Sequence, residues 1–256
     1  MDRVEIENTI DENVSGTRLY EFHVNLPGAQ IRFEEIGAIA RPGCVSSADG
    51  CLGDTGGDYL QGSRASRMTL NHFVDFENAG ATYNAVISNW DAYAMQVNDS
   101  TDSTFDLTGD TVHVIAMQNS SGAGTTNQAG DAFFKNRFAI RGLNAAYDGA
   151  EAMRTALAHQ NPLHVLPLDR SQGGTLTTLS DSLLSVSDPD VVVTAFKPAE
   201  DTGAGFVIRT WELGGAQTDY DIDVSAMNPD QVWETNLVET DVATATLTAG
   251  VIAASN

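Results

Sequence analysis

Lysine is almost missing from this sequence. Lys135 and Lys197 are the two lysines among 256 residues, and 13 basic residues in all face 35 acidic ones. That shortage excludes nucleic acid as a partner, because no basic patch exists to neutralise phosphates. Cysteine is equally scarce, with Cys44 and Cys51 flanking "VSSADG". Two cysteines are too few for a disulfide scaffold and lack metal-site spacing. A loop disulfide and a pair of free thiols both remain open. No apolar run approaches the roughly 18 residues that a membrane-spanning helix needs, and no membrane partner is expected. The opening "MDRVEIENTI" has no apolar core of a signal peptide and reads as a strand that begins abruptly. Nor is there a G-x-S-x-G elbow, a phosphate-binding loop, an H-E-x-x-H or a C-x-x-C.

What is present is acid, spread along the whole chain, with 23 Asp to 12 Glu and a formal charge of −22. This reads as adaptation to a high-salt interior, where salt screens self-repulsion. The expected location is the cytoplasm of a high-salt organism, with a secreted or cell-surface life as the alternative. Apolar residues make up 42%, enough for a globular core.

Strand signals dominate. Arg18–Leu26, Gln30–Ile39, Met68–Phe76, Ala81–Asn89, Asp110–Gln118 and Asn136–Leu143 alternate apolar and polar residues for part of their length. Gly, Ser, Asn and Asp clusters such as "SSADGCLGDTGGD" separate them. One helix stands out in "YDGAEAMRTALAHQNP". Asp148 is its N-cap, Glu151 the capping-box partner, and Pro162 lies beyond its end. Met153, Ala156 and Leu157 would share its apolar face. A change of texture at Pro162–Gly174 marks a boundary between two sheet regions. The spacing thus predicts an all-β fold, a large β-sandwich with one short helix and a smaller C-terminal β-sheet region.

Candidates for chemistry are dispersed. His23, His72, His113, His159 and His164 are scattered and read as surface or satisfied core histidines. Arg64 and Arg67 could grip an anion, though charges on a strand end are the blander reading. Trp90, Tyr93, Trp211 and Trp233 could stack on sugar rings. Trp211 and Trp233 sit in or beside strand-like runs and are expected in core packing, while Trp90 lies in a turn-like setting. Paired carboxylates for glycoside chemistry cannot be picked from 35 acids without their separations. Three sequons occur, at Asn13, Asn98 and Asn119.

The most deliberate stretch is "VVVTAFKPAEDTGAGFVIRTWEL", Val191–Leu213. Two β-prone runs flank a turn, and Val191–Phe196 is bulky enough to be buried on both sides. The segment resembles one near the C-terminal end of glycoside hydrolase family 38, the α-mannosidases. There a "V-x-A-x-K-x-A-E-D-G" run precedes a strand ending "R-x-W/Y-E". "VEIENTIDE", "FEEIGAIARP" and "NHFVDFENAGATYNAVISNWDAYAM" resemble the family's central β-domain in that order, with His72 and Phe73 where a Trp is commoner. "HQNPL" resembles an "fN-x-P-L" element and "WETNLVET" a late "a-x-x-x-n-l-x-E". Matches run from about Val4 to about Ala249. The family's Pro-His pair in the strand before the helix is absent here. "LDRSQGG", Leu168–Gly174, is similar to a stretch of lysosomal-type members but sits in another context and is set aside.

The resemblance implies a galactose-mutarotase-like supersandwich over residues 1–165, truncated at its N-terminus. Residues 166–256 would be C-terminal β-sandwich strands, or part of the same domain. Family members are retaining glycosidases whose aspartate nucleophile and zinc ligands lie in an N-terminal α/β domain. The chain then looks like a C-terminal piece of a larger enzyme, inactive alone. No catalytic or metal-binding residue carries over, substrate-binding residues stay unassigned, and zinc is expected in the catalytic domain. The implied partners are that domain and a carbohydrate substrate. Lys197, limited by Pro198, would pair with Glu200 or Asp201 in a plain strand connection. The alternatives are a free-standing carbohydrate-binding or cell-surface module and a sugar epimerase-like sandwich.

Overall fold

The computed structural model of the chain describes residues 2–11, 16–26, 28–119, 134–165, 167, 182–200 and 205–255. It divides into two compact units, Met1–Pro162 and Leu163–Asn256. The stretch Leu168–Gly174 lies outside the described residues, as does the sequon at Asn13.

The first unit is a sandwich of two antiparallel sheets. In chain order the six-stranded sheet takes β1 (Val4–Ile10), β3 (Gln30–Glu35), β4 (Ala38–Ala40), β7 (Phe73–Glu77), β8 (Asn84–Asn89) and β12 (Phe134–Leu143). Their spatial order is β1-β12-β8-β7-β3-β4. The second sheet joins β2 (Gly16–His23), β11 (Thr111–Asn119), β9 (Ala94–Val97) and β6 (Met68–Thr69). Alternation along each strand gives every sheet an apolar inner face. Phe33, Val74, Phe76, Ile87 and Phe138 from one sheet meet Met68, Met95, Val97, Val112 and Val114 from the other. Phe138 takes the ring edges of Tyr20 and Phe22 at 5.3 and 5.0 Å. Each such buried ring contributes about 2–3 kcal/mol of transfer free energy.

Two of the expected strands are broken. Gln30–Ile39 is a hairpin, because Gly37 adopts φ 82 and turns β3 back as β4, leaving Ile36 exposed. Met68–Phe76 supplies one strand to each sheet. Between them Leu70 N–H donates to Tyr93 O and Asn71 N–H to Glu34 O, so the chain changes layers there. A parallel pair of β5 (Leu52–Gly53) and β10 (Thr104–Phe105) closes one loop region. Gly53 has φ 102, and a side chain on it would strike the Phe105 backbone. Beside it Cys44 and Cys51, both buried, form a disulfide with Cα atoms 5.8 Å apart.

The helix α1 spans Gly149–Gln160 and packs on β7, β8 and β12. Asp148 caps it by accepting from the Glu151 N–H at 3.0 Å. Glu151 does not complete a capping box; its carboxylate goes to Arg141 instead. Met153 and Ala156 are buried as expected, but Leu157 is only half-buried, and Ala150, Ala152, Thr155 and His159 fill the face. Small residues let the helix lie close on a sheet face that is itself polar.

In the second unit a four-stranded sheet runs in the order β13 (Ser185–Val186), β16 (Asp219–Asp223), β20 (Val251–Ser255) and β19 (Thr246–Thr248). Two hairpins accompany it, β14 (Val191–Pro198) with β15 (Phe206–Glu212), and β17 (Trp233–Thr235) with β18 (Asp241–Thr244). Val191 and Ile208 of the first hairpin join a cluster with Tyr220, Ile222 and Ile252 of the sheet and with Val224 just beyond β16. The chain is therefore an all-β sandwich protein carrying one α-helix among its described residues. Burial of β14 on both sides does not hold along its length. Val191 and Val192 are buried, but Phe196 is 43% exposed.

Candidate functional site

The dispersed candidates stay dispersed. His23 pairs with Asp110 at 2.9 Å, His72 with Glu34 at 2.9 Å and His113 with Glu21 at 3.3 Å. His159 meets the Ser88 hydroxyl at 2.9 Å, burial lowering its pKa, and His164 is exposed. Among the described residues no group of three or more His, Cys, Asp or Glu side chains is arranged to hold a metal ion. Arg64 and Arg67 are exposed and face Asp102, whose pKa is lowered by the Ser66 hydroxyl first and by the two arginines further. Asn98 is no glycan acceptor here: it is buried, accepts from Thr111 N–H at 3.0 Å and donates to Asp106 O at 3.1 Å. The sequon at Asn119 runs into residues outside the described set.

The aromatics divide differently from expectation. Trp90 is a packing residue, with the Arg137 guanidinium 3.6 Å from its ring centroid and the His159 edge against it. Trp211 is half-buried opposite Val192. Trp233, expected in core packing, is 48% exposed, on a strand that pairs with β18 alone among the described residues. Tyr93 is exposed as well.

The stretch Val191–Leu213 forms the antiparallel hairpin its pattern predicts, and a bulge decides where its charges go. The pairing shifts between Val193 and Ala195, leaving Thr194 as the extra residue. Val191 and Lys197 would share a face in a regular strand. The bulge reverses the alternation, so that Phe196 opposes Ile208 on the core side while Lys197 opposes Val207 on the side of Arg209 and Trp211. There the two cations meet a carboxylate from the other hairpin. Lys197 Nζ is 2.6 Å from Glu239 Oε1, and Arg209 Nη2 is 3.8 Å from the same atom. Lys197 also holds Glu200 at 3.0 Å, as its sequence neighbourhood predicts. Asp201 lies outside the described residues.

Glu239 is presented by a turn built for it. Asn236 Oδ1 accepts from the N–H groups of Val238 and Thr240, both at 3.0 Å. Glu239 itself takes φ 62, a left-handed conformation unusual for glutamate, and its side chain is 13% exposed. Glu239 raises the Lys197 pKa, with Glu200 second, and Lys197 lowers that of Glu239. Three residues of motif-like segments, Lys197, Arg209 and Glu239, thus converge as an ion-pair staple between two hairpins. Both cations face the same oxygen of Glu239, which ties the two hairpins together.

A second polar group was invisible in the sequence. On the helix-facing side of the six-stranded sheet, Arg32 Nη1 is 2.9 Å from Glu77 Oε2 and its guanidinium lies 4.4 Å from the Tyr147 ring centroid. Tyr147 N–H donates to Glu77 Oε1 at 2.8 Å, and Asn84 Nδ2 to Ala146 O at 3.1 Å. Asp75, fully buried, sits between them; burial pushes its carboxyl up to about 8, with Glu77 adding to the rise and Arg32 opposing it. In "FVDFEN" the alternation at Asp75 and Glu77 reads as a solvated face, and only α1 packing above makes it an interior.

Residues 190–252 match the family model described as glycosyl hydrolases family 38 C-terminal beta sandwich domain. The match lies within the second unit and includes Lys197, Arg209 and Glu239. No curated protein matches the chain.

Proposed function

We propose, from the match of residues 190–252 to the family 38 C-terminal β-sandwich domain, that the chain is a non-catalytic β-sandwich region of an α-mannosidase-like retaining glycoside hydrolase. Its work is to support a catalytic domain and help wall the sugar site. The family match is the observation that carries this reading. The ion-pair staple supports it, since Lys197, Arg209 and Glu239 act as a fastening between two hairpins. In this reading the nucleophile and the zinc belong to the catalytic domain, which is the partner, and a mannoside is the substrate.

Purified protein assayed with aryl α-mannosides, with and without zinc, should show no turnover. Turnover at either condition would overturn the non-catalytic assignment. A second reading, a free-standing carbohydrate-binding module, is favoured by the half-exposed Trp233 on β17. A saturable change in tryptophan fluorescence on titration with mannose oligosaccharides, lost in Trp233→Ala, would favour it over the first.

A further inference from the structure

Between the six-stranded sheet and α1 the donors and acceptors do not balance. Both oxygens of Asp75 are buried without a hydrogen-bond partner among the described residues, and so are Asn84 Oδ1 and the Tyr147 hydroxyl. The strands place these groups together. Asp75 and Glu77 share a face of β7, Asn84 stands opposite Glu77 on β8, and Arg32 stands opposite Asp75 on β3. Tyr147 is tied to the same spot through Glu77.

With Asp75 ionised, the Tyr147 O–H is the one donor among these four unpaired atoms, against two carboxylate oxygens and an amide oxygen. The nearby cation does not repair this. Arg32 points its Nη1 at Glu77 and its Nη2 at Gln30, the latter at 3.0 Å. Glu77 adds a like charge on the same strand, and Asp148 at the start of α1 acts on Tyr147. Val86, directly opposite Asp75 on β8, is uncharged, and Arg141 on β12 is committed to Glu151. An ionised, fully buried and unpaired carboxylate is among the costliest arrangements in a protein interior. Protonation removes the charge and supplies a second donor.

We propose that this layer is a proton-binding site: Asp75 is held in the folded protein as a neutral carboxylic acid, so the N-terminal unit takes up a proton as it folds. A neutral Asp75 adds a donor to a layer whose unpaired atoms are mostly acceptors. The linkage has a definite sign. Asp75 titrates near its ordinary 3.8 in the unfolded chain and at about 8 in the folded one. Its contribution to stability is therefore complete below about pH 4 and is lost as pH rises through about 8.

The test is equilibrium urea unfolding of the full chain in molar KCl, followed from pH 5 to 9, on the wild type and on Asp75→Asn. The wild-type midpoint should fall across this range, and Asp75→Asn, which keeps the shape without the charge, should flatten the fall. Parallel profiles for the two proteins would overturn the proposal. Should Asp75→Asn fail to fold, the wild type alone decides by infrared spectroscopy at neutral pH. A protonated-carboxyl carbonyl band that disappears on unfolding supports the site, and its absence from the folded protein overturns it.

Discussion

Lys197 and Glu239 stand 2.6 Å apart, nitrogen to oxygen, although 41 residues separate them along the chain. Each is held by something else as well, Lys197 by Glu200 and Glu239 by Arg209. Removing one side of such a pair leaves the other short of its partner, so the two substitutions should not add. Lys197→Met should lower the thermal midpoint more than Arg209→Met, because Arg209 is 3.8 Å from the shared oxygen and 42% exposed. Lys197→Met with Glu239→Gln should lose less than the sum of the singles. Additive losses in a double-mutant cycle would show that the pair contributes nothing. The pH signs follow from the shifts. The Glu239 contribution is present above about 4.5 and is lost as pH falls through the depressed folded value; that of Lys197 is lost only as pH rises through its raised value, above 10.5.

Val192 is 4% exposed and Phe196 is 43% exposed, on one strand. Val192→Asp should destabilise the C-terminal unit by about 3–5 kcal/mol, since it buries an unpaired charge. Phe196→Asp should stay within about 1 kcal/mol. Limited proteolysis and urea unfolding separate the two, and equal effects would contradict the burial of β14.

The Cys44–Cys51 bond closes a short loop, with a sequence separation of 7. In the chain-entropy account such a loop contributes about 2–3 kcal/mol. Reduction, or Cys44→Ser with Cys51→Ser, should lower the unfolding midpoint accordingly. An unchanged midpoint would mean that the β5–β10 region contributes nothing to cooperative unfolding.

A formal charge of −22 makes the compact state repel itself at low ionic strength. Thermal midpoints should climb from near-zero to molar KCl as the Debye length shrinks from tens of ångströms to about 3 Å. A flat profile would remove the high-salt reading of the composition.

Local signals in the sequence carried furthest. Asp148 caps Glu151 three residues on, and the Val191–Leu213 pattern gives a hairpin in which Val207, Arg209 and Trp211 share a face. Both depend on neighbours in the chain. Breaks within long apolar runs were harder. Gly37 turns the chain inside a run that alternates well on both sides, and the layer change at 70–72 is marked by Asn71 alone. The polar sites were least legible. Glu239 reaches Lys197 only through tertiary packing, and Asp75 becomes interior only when α1 covers it. A period-2 pattern identifies which residues share a face, but not whether water or a helix lies over it.

The extra residue at Thr194 also sets how this hairpin tolerates changes of length. Deleting Thr194 would leave a regular strand with Phe196 still opposite Ile208 and Lys197 still opposite Val207. Pairing every residue without a bulge would instead turn the ammonium to the side of Ile208 and send Phe196 to the charged side. A relative without the bulge has to carry its lysine at an odd spacing from its core valine, where this chain has an even one. An alignment gap at that point would therefore mark a preserved structure, and an ungapped alignment across it would conceal a strand whose two faces had exchanged.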